Sequence, residues 1–237
     1  MIHYKGRKRK GAKRKMKLDK SLIIDKTKQF VYEELINEPS GHDWWHIQRV
    51  VNTTNTIAKE EQKMQSVDLF ICEMAALLHD IADEKLNENA AAGEKRVQEW
   101  LEKNNVSPLD QAAILTIILN MSYKGGTNKV ELKTIEGKIV QDADRLDALG
   151  AIGIARTLAY SGHHGRPIHD PRRVAREDMT LEEYRSGEDT AIMHFYEKLL
   201  KLKELMKTET GEKLAIERHN YMLHFLDQFY GEWDGER

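Results

Sequence analysis

The sequence predicts an all-α protein with a single domain, on three observations. Apolar residues recur three and four positions apart along most of its 237 residues. Only four prolines interrupt them. No stretch alternates apolar and polar residues for long enough to make a strand, and the best candidate, residues 129–132, is too short.

The elements follow in order. Residues 18–37 place Ile23, Ile24, Phe30, Val31, Leu35 and Ile36 at helical spacing, and Pro39-Ser40-Gly41 ends that helix. A second helix is expected over 43–65, with Asp43 as N-cap and Trp44, Ile47, Val50, Val51, Thr54, Ile57 and Ala58 as its apolar stripe. Ser66 caps a third, over 67–79, whose apolar run Met74-Ala75-Ala76-Leu77-Leu78 delivers His79-Asp80. A fourth covers 89–104, with Val97, Trp100 and Leu101 on one face. Ser107-Pro108-x-Asp110 is a strong helix start: a capping serine, proline at the first position and an acid in the first turn. Glycines make Ser122-Tyr123-Lys124-Gly125-Gly126-Thr127 a loop. One long helix is expected over 134–160, then an irregular segment over 161–179, of a length often found in functional lids. Thr180-Leu181-Glu182-Glu183 has the capping-box form, and helices over 190–207 and 211–229 close the chain.

Charge divides the chain into a basic tail, residues 1–17, and a domain, residues 18–237. The tail holds nine Lys/Arg and no acid, which leaves 28 basic against 39 acidic residues in the rest. Such a tail reads as a solvated, disordered extension. The acidic body disfavours duplex nucleic acid as a partner and suits a protein that concentrates cations. No apolar run approaches the ~20 residues needed to span a bilayer, and no apolar segment follows the basic start to make a secretory signal. A single cysteine, Cys72, fits an inert core thiol and a cytoplasmic location.

The chemistry centres on His79-Asp80. Burying an imidazole beside a carboxylate is costly unless each finds a partner, and a divalent cation would use both. His46, in an apolar run early in the second helix, is a candidate third ligand. Asp142, Asp144 and Asp147 put three carboxylates into another apolar segment. At about 100° per residue, Asp144 and Asp147 lie about 60° apart, whereas Asp142 is about 160° from Asp144. One cation therefore does not easily take both Asp142 and Asp144, and periodicity does not choose between them.

His46, then His79-Asp80, then Ala143-Asp144-Arg145-Leu146 resembles the ordered H…HD…D pattern of the HD-domain superfamily of metal-dependent phosphohydrolases. Gly41-His42-Asp43-Trp44-x-His46, Ser122-Tyr123-Lys124 and Gln141-Asp142-Ala143-Asp144-Arg145-Leu146-Asp147 resemble its small stand-alone bacterial hydrolases, some of which act on nucleoside triphosphates. The resemblance implies an HD-type helical bundle with the metal between helices. It assigns ligation to His46, His79, Asp80 and Asp144, with Asp142 and Asp147 supporting them from behind. Asp83 and Glu84, by the same resemblance, activate water or orient substrate. Cations available for phosphate are Arg49, one turn from His46, Lys124 before its two glycines, Arg145, and the loop histidines His163 and His164. The mixed N/O donor set suits Mn²⁺ first, with Co²⁺, Ni²⁺, Fe²⁺, Zn²⁺ or Mg²⁺ as alternatives. The expected activity is hydrolysis of a nucleotide by metal-activated water, foremost by a (deoxy)nucleoside triphosphate pyrophosphohydrolase. A 5′-nucleotidase, a guanosine tetraphosphate hydrolase and a cyclic-nucleotide phosphodiesterase are the alternatives. Absence of a Gly-Tyr-Pro motif disfavours the cyclic-dinucleotide subgroup. Helical proteins of this family often form homodimers. The contrasting reading is a binding or sensor module whose metal is structural.

Overall fold

The computed structural model describes residues 19–39, 41–83, 86–122, 130–176 and 189–237. The basic tail, Glu84, Lys124 and the capping-box segment at 180–183 lie outside them. Among the described residues there is no strand, and no helix is long and apolar enough to cross a membrane.

Among the described residues nine α-helices carry the fold: α1 (Lys20–Leu35), α2 (Trp44–Glu61), α3 (Leu69–Leu78), α4 (Ala90–Lys103), α5 (Pro108–Asn120), α6 (Ile135–Leu146), α7 (Gly150–His163), α8 (Ala191–Glu197) and α9 (Glu209–Trp233). Short polar side chains start most of them. Asp43 accepts from the His46 amide, Ser107 from Asp110 and Thr134 from Gly137, each satisfying an N–H that the helix itself cannot. Asp68, rather than Ser66, caps α3, because Val67 turns inward and is buried.

The centre is α3. It is apolar except for Glu73, with Phe70, Cys72 and the whole run from Met74 to Leu78 buried, so it needs cover on most sides. Helices α1, α2, α5 and α6 provide it. Burial pushes the Cys72 thiol up, away from its reactive thiolate form. Beyond Leu78 the chain tightens into a 3₁₀ turn, Asp80–Ala82, which lies against α4. Gly93 of α4 permits that approach, since a Cβ there would sit 2.4 Å from the Ala82 carbonyl oxygen.

The long helix expected over 134–160 is two helices. It breaks at Asp147-Ala148-Leu149, and Gly150 adopts φ +69°, a region that suits glycine. Tertiary contacts favour the break. Arg218 of α9 donates to the Leu146 carbonyl and packs against Gly150, where a Cβ would meet its side chain at 3.1 Å. The segment expected as a helix over 190–207 is α8 followed by a 3₁₀ stretch, Leu199–Leu205. Helix α9 runs one turn further than expected at its C-terminal end.

Candidate metal centre

Three helix ends meet beside the Asp80–Ala82 turn: the first turn of α2, the last residue after α3 and the last turn of α6. The first contributes His46, 2 % exposed; the second His79 and Asp80, 8 % and 3 % exposed; the third Asp144 and Asp147.

The hydrogen bonds fix which edge of each imidazole faces the centre. His79 Nδ1 donates to the Ala76 carbonyl at 2.9 Å, and His46 Nδ1 to Asp147 Oδ2 at 2.7 Å. Both Nε2 atoms therefore point inward, and they lie 3.3 Å apart. Asp80 Oδ2 and Asp144 Oδ1 each lie 3.5 Å from His46 Nε2, and His79 Nε2 is 3.4 Å from Asp80 Oδ1 and 3.8 Å from Asp144 Oδ1. Asp80 Oδ2 is buried with no hydrogen-bond partner among the described residues. Lone pairs from two imidazoles and two carboxylates thus converge, and an orphaned buried carboxylate oxygen is costly. A divalent cation resolves both problems. Ligands about 2.1 Å from a shared ion stand roughly 3–3.5 Å from one another, close to the separations of 3.3 to 3.8 Å here. Among the described residues two overlapping groups can hold an ion: His46, His79 and Asp144, and His42, His46 and Asp80.

Asp147 supports the centre from behind. It accepts the His46 Nδ1 proton, a two-point ion pair from Arg49 at 2.7 and 2.9 Å, and a further bond from Arg156. Burial pushes its carboxyl up, but the bonds from His46 and Arg49 outweigh burial and hold it well below the usual carboxylate range. Burial likewise opposes ionisation of Asp80 and Asp144, and the neighbouring imidazoles keep both carboxyls low.

Burial and the neighbouring carboxylates pull His46 in opposite directions. Burial disfavours its charged form, yet Asp144 and Asp147 win and raise its pKa to about 9. A cation that binds at Nε2 would have to displace a proton from that edge. Mn²⁺ affinity should therefore rise about tenfold per pH unit up to near pH 9 and level off above. Titration calorimetry at pH 7 in buffers of differing ionisation enthalpy should show about one proton released per ion. Affinity independent of pH would contradict the assignment of His46.

Of the other residues singled out from the sequence, Arg49 and Asp83 border the cluster, through Asp147 and Asp80. Asp142, on the far side of α6, is fully buried and accepts from the Lys207 and Thr208 amides and the Thr208 hydroxyl, so it anchors the start of α9. The Arg145 guanidinium bonds the Leu205 carbonyl. His163 and His164 are exposed at the end of α7, where His164 stacks on Tyr160. Arg49 is engaged by Asp147 and about one third exposed. Asp83 follows the 3₁₀ turn directly, its amide donating to the Asp80 carbonyl.

Two residues of the centre were not read from the sequence. His42 Nδ1 is 3.0 Å from Asp80 Oδ1, and its ring meets His46 edge-on. Its spacing of four from His46 was a usable signal. Arg156 was a lone arginine in the apolar run Ile154-Ala155-Arg156-Thr157-Leu158, a weaker one.

The geometry can be set beside known proteins. The model of the HD domain matches residues 44–149, ending in the turn between α6 and α7. The uncharacterized protein YpgQ of Bacillus subtilis is 38 % identical over 205 residues, covering 86 % of this chain and 90 % of YpgQ. The crystal structure of an HD-superfamily hydrolase from Bacillus thuringiensis is 46 % identical and superposes with a TM-score of 0.73 over 91 % of this chain and 98 % of that one. The crystal structure of YpgQ in complex with ADP gives 35 % identity and a TM-score of 0.69, over 88 % and 97 %. With fold, sequence and the order of His and Asp residues in agreement, this chain belongs to the HD-domain family, within the superfamily of metal-dependent phosphohydrolases.

Proposed function

We propose that the protein hydrolyses a nucleotide, foremost a (deoxy)nucleoside triphosphate to the monophosphate and pyrophosphate, at the cluster of His46, His79, Asp80 and Asp144. The observation that carries the reading is the inward convergence of two imidazole Nε2 atoms on carboxylate oxygens, one of them without a partner. The solved complex of the relative YpgQ with ADP supports a nucleotide as the ligand class.

A divalent cation bound by these four residues, Mn²⁺ in the first instance, supplies Lewis acidity that polarises a phosphoryl oxygen and eases deprotonation of water. The protein does the rest. Asp83 and Glu84, three and four positions after Asp80 in the sequence, hold the attacking water in line with the scissile bond and take its proton. Arg49, partly exposed next to the cluster, and Lys124, beside two glycines, bind the phosphates. Asp147 keeps His46 in the tautomer that presents Nε2. A single cysteine kept buried fits work on the cytoplasmic nucleotide pool.

The test is a panel. Purified protein with Mn²⁺ is incubated with nucleoside triphosphates, monophosphates, guanosine tetraphosphate and cyclic nucleotides, and phosphate and pyrophosphate are measured separately. Pyrophosphate release from triphosphates is the expected result. Phosphate from monophosphates would make the protein a 5′-nucleotidase. No release from any nucleotide by protein loaded with metal would leave a binding module.

A further inference from the structure

Arg156 lies in α7, beyond the segment matched by the HD-domain model, yet its guanidinium touches three parts of the metal centre. One terminal nitrogen bonds Asp147 Oδ2 and lies 3.2 Å from His46 Nδ1. The other donates to the Gly41 carbonyl at 2.8 Å. Gly41 holds a left-handed backbone, φ +91°, immediately before His42, whose ring meets Asp80. One side chain therefore secures both the turn that presents His42 and the carboxylate that aims His46.

Neutralising Asp147 does not require it. Arg49 already makes a two-point pair with that carboxylate, and Arg49 shares α2 with His46. What Arg156 adds is an attachment to a different layer. Helix α7 packs on α8 and α9, and through Arg156 it is tied to the start of α2 and the end of α6. A guanidinium suits this task, because its fixed fork of donors can bridge a carboxylate and a carbonyl at once.

We propose that Arg156 is a positioning residue for the metal centre, through which the layer of helices α7–α9 fixes the direction of His46 Nε2 and the seat of His42. The proposal rests on the reading of the cluster as a metal centre, and its test separates the two. Mn²⁺ binding isotherms and the electron paramagnetic resonance spectrum of bound Mn²⁺ would be recorded on the full chain and on Asp80→Ala, Arg156→Ala, Arg156→Lys and Arg156→Gln. Wild type should bind and Asp80→Ala should not. Arg156→Ala should bind 10- to 100-fold more weakly, as expected when a partner behind a metal ligand is lost, with an altered Mn²⁺ spectrum. Arg156→Lys keeps the charge without the fork and should recover only part of the affinity. Arg156→Gln, which can satisfy Gly41 alone, should remain weak, and it carries the test if Arg156→Ala does not fold.

Wild-type affinity and spectrum in Arg156→Ala or Arg156→Gln would overturn the inference while leaving the metal reading intact. Full recovery by Arg156→Lys would overturn it too, since charge alone would then suffice. Failure of the wild type to take up Mn²⁺ would remove the metal reading and this inference with it.

Discussion

Asp80→Ala is expected to lose Mn²⁺ binding and nucleotide hydrolysis together while the protein stays folded. The carboxylate touches both imidazoles of the cluster as well as His42, and its Oδ2 is the atom left without a partner. Among the described residues the groups able to hold an ion draw their carboxylate oxygen from Asp80 or Asp144. Lewis-acid stabilisation of transition-state charge is worth several kcal/mol, and each ~1.4 kcal/mol is tenfold in rate. Turnover should therefore fall by roughly 10³-fold or more. The apolar residues around it, Leu77, Leu78 and Ile81, hold the turn by burial and are untouched by the change. Circular dichroism should stay helical, and metal analysis after dialysis should show no bound ion. A variant that melts early yet still binds Mn²⁺ and turns over would assign Asp80 to the architecture instead.

The second expected result is a dissociation between two aspartates two positions apart. Asp142→Ala should cost about 3 kcal/mol, because it strands the buried Thr208 amide and hydroxyl, each of which costs roughly 1–3 kcal/mol without a partner, and takes an acceptor from the part-buried Lys207 amide. In a domain of this size that is a fall in Tm of roughly 6–12 °C. The site is also crowded: Gly211 lies where a Cβ would stand 2.4 Å from Asp142 Oδ2. The variant that still folds should bind Mn²⁺ as wild type does. Asp144→Ala should do the reverse, losing most Mn²⁺ affinity with little change in Tm, since its carboxylate lies among the imidazoles and is 28 % exposed. Thermal melts and Mn²⁺ isotherms on both variants decide it. The opposite pattern would exchange the two roles.

The same pair shows how far the sequence could be read. That Asp142 and Asp144 face opposite ways follows from helix geometry alone. Which way is inward does not, because the partner that claims Asp142 lies 65 residues on, in the approach to α9. Helix starts at Asp43 and Ser107 were legible because a cap and its amide are three residues apart. The break after Leu146 was not. Leu146 and Leu149 keep the apolar stripe going through it, and what favours a turn there is Arg218, which arrives from α9. His42 and Arg156 escaped for the same reason: their partners, Asp80, Asp147 and Gly41, are 38, 9 and 115 residues away. Side chains whose meaning is local could be read, and the four candidate ligands, distant from one another, were reached only through the resemblance to an ordered pattern; the remaining distant contacts needed the fold.

The bond between His46 and Asp147 joins residues 101 positions apart. On a ribosome adding ~5–20 residues per second, the first imidazole is made roughly 5–20 s before the carboxylate that orients it. Asp144 and Arg156 arrive in the same late interval. A nascent chain therefore carries its histidines and early aspartates through synthesis as scattered side chains with no common centre. Capture of an ion by this cluster must wait until α6 has been made, because Asp144 is the last of the four side chains to be added.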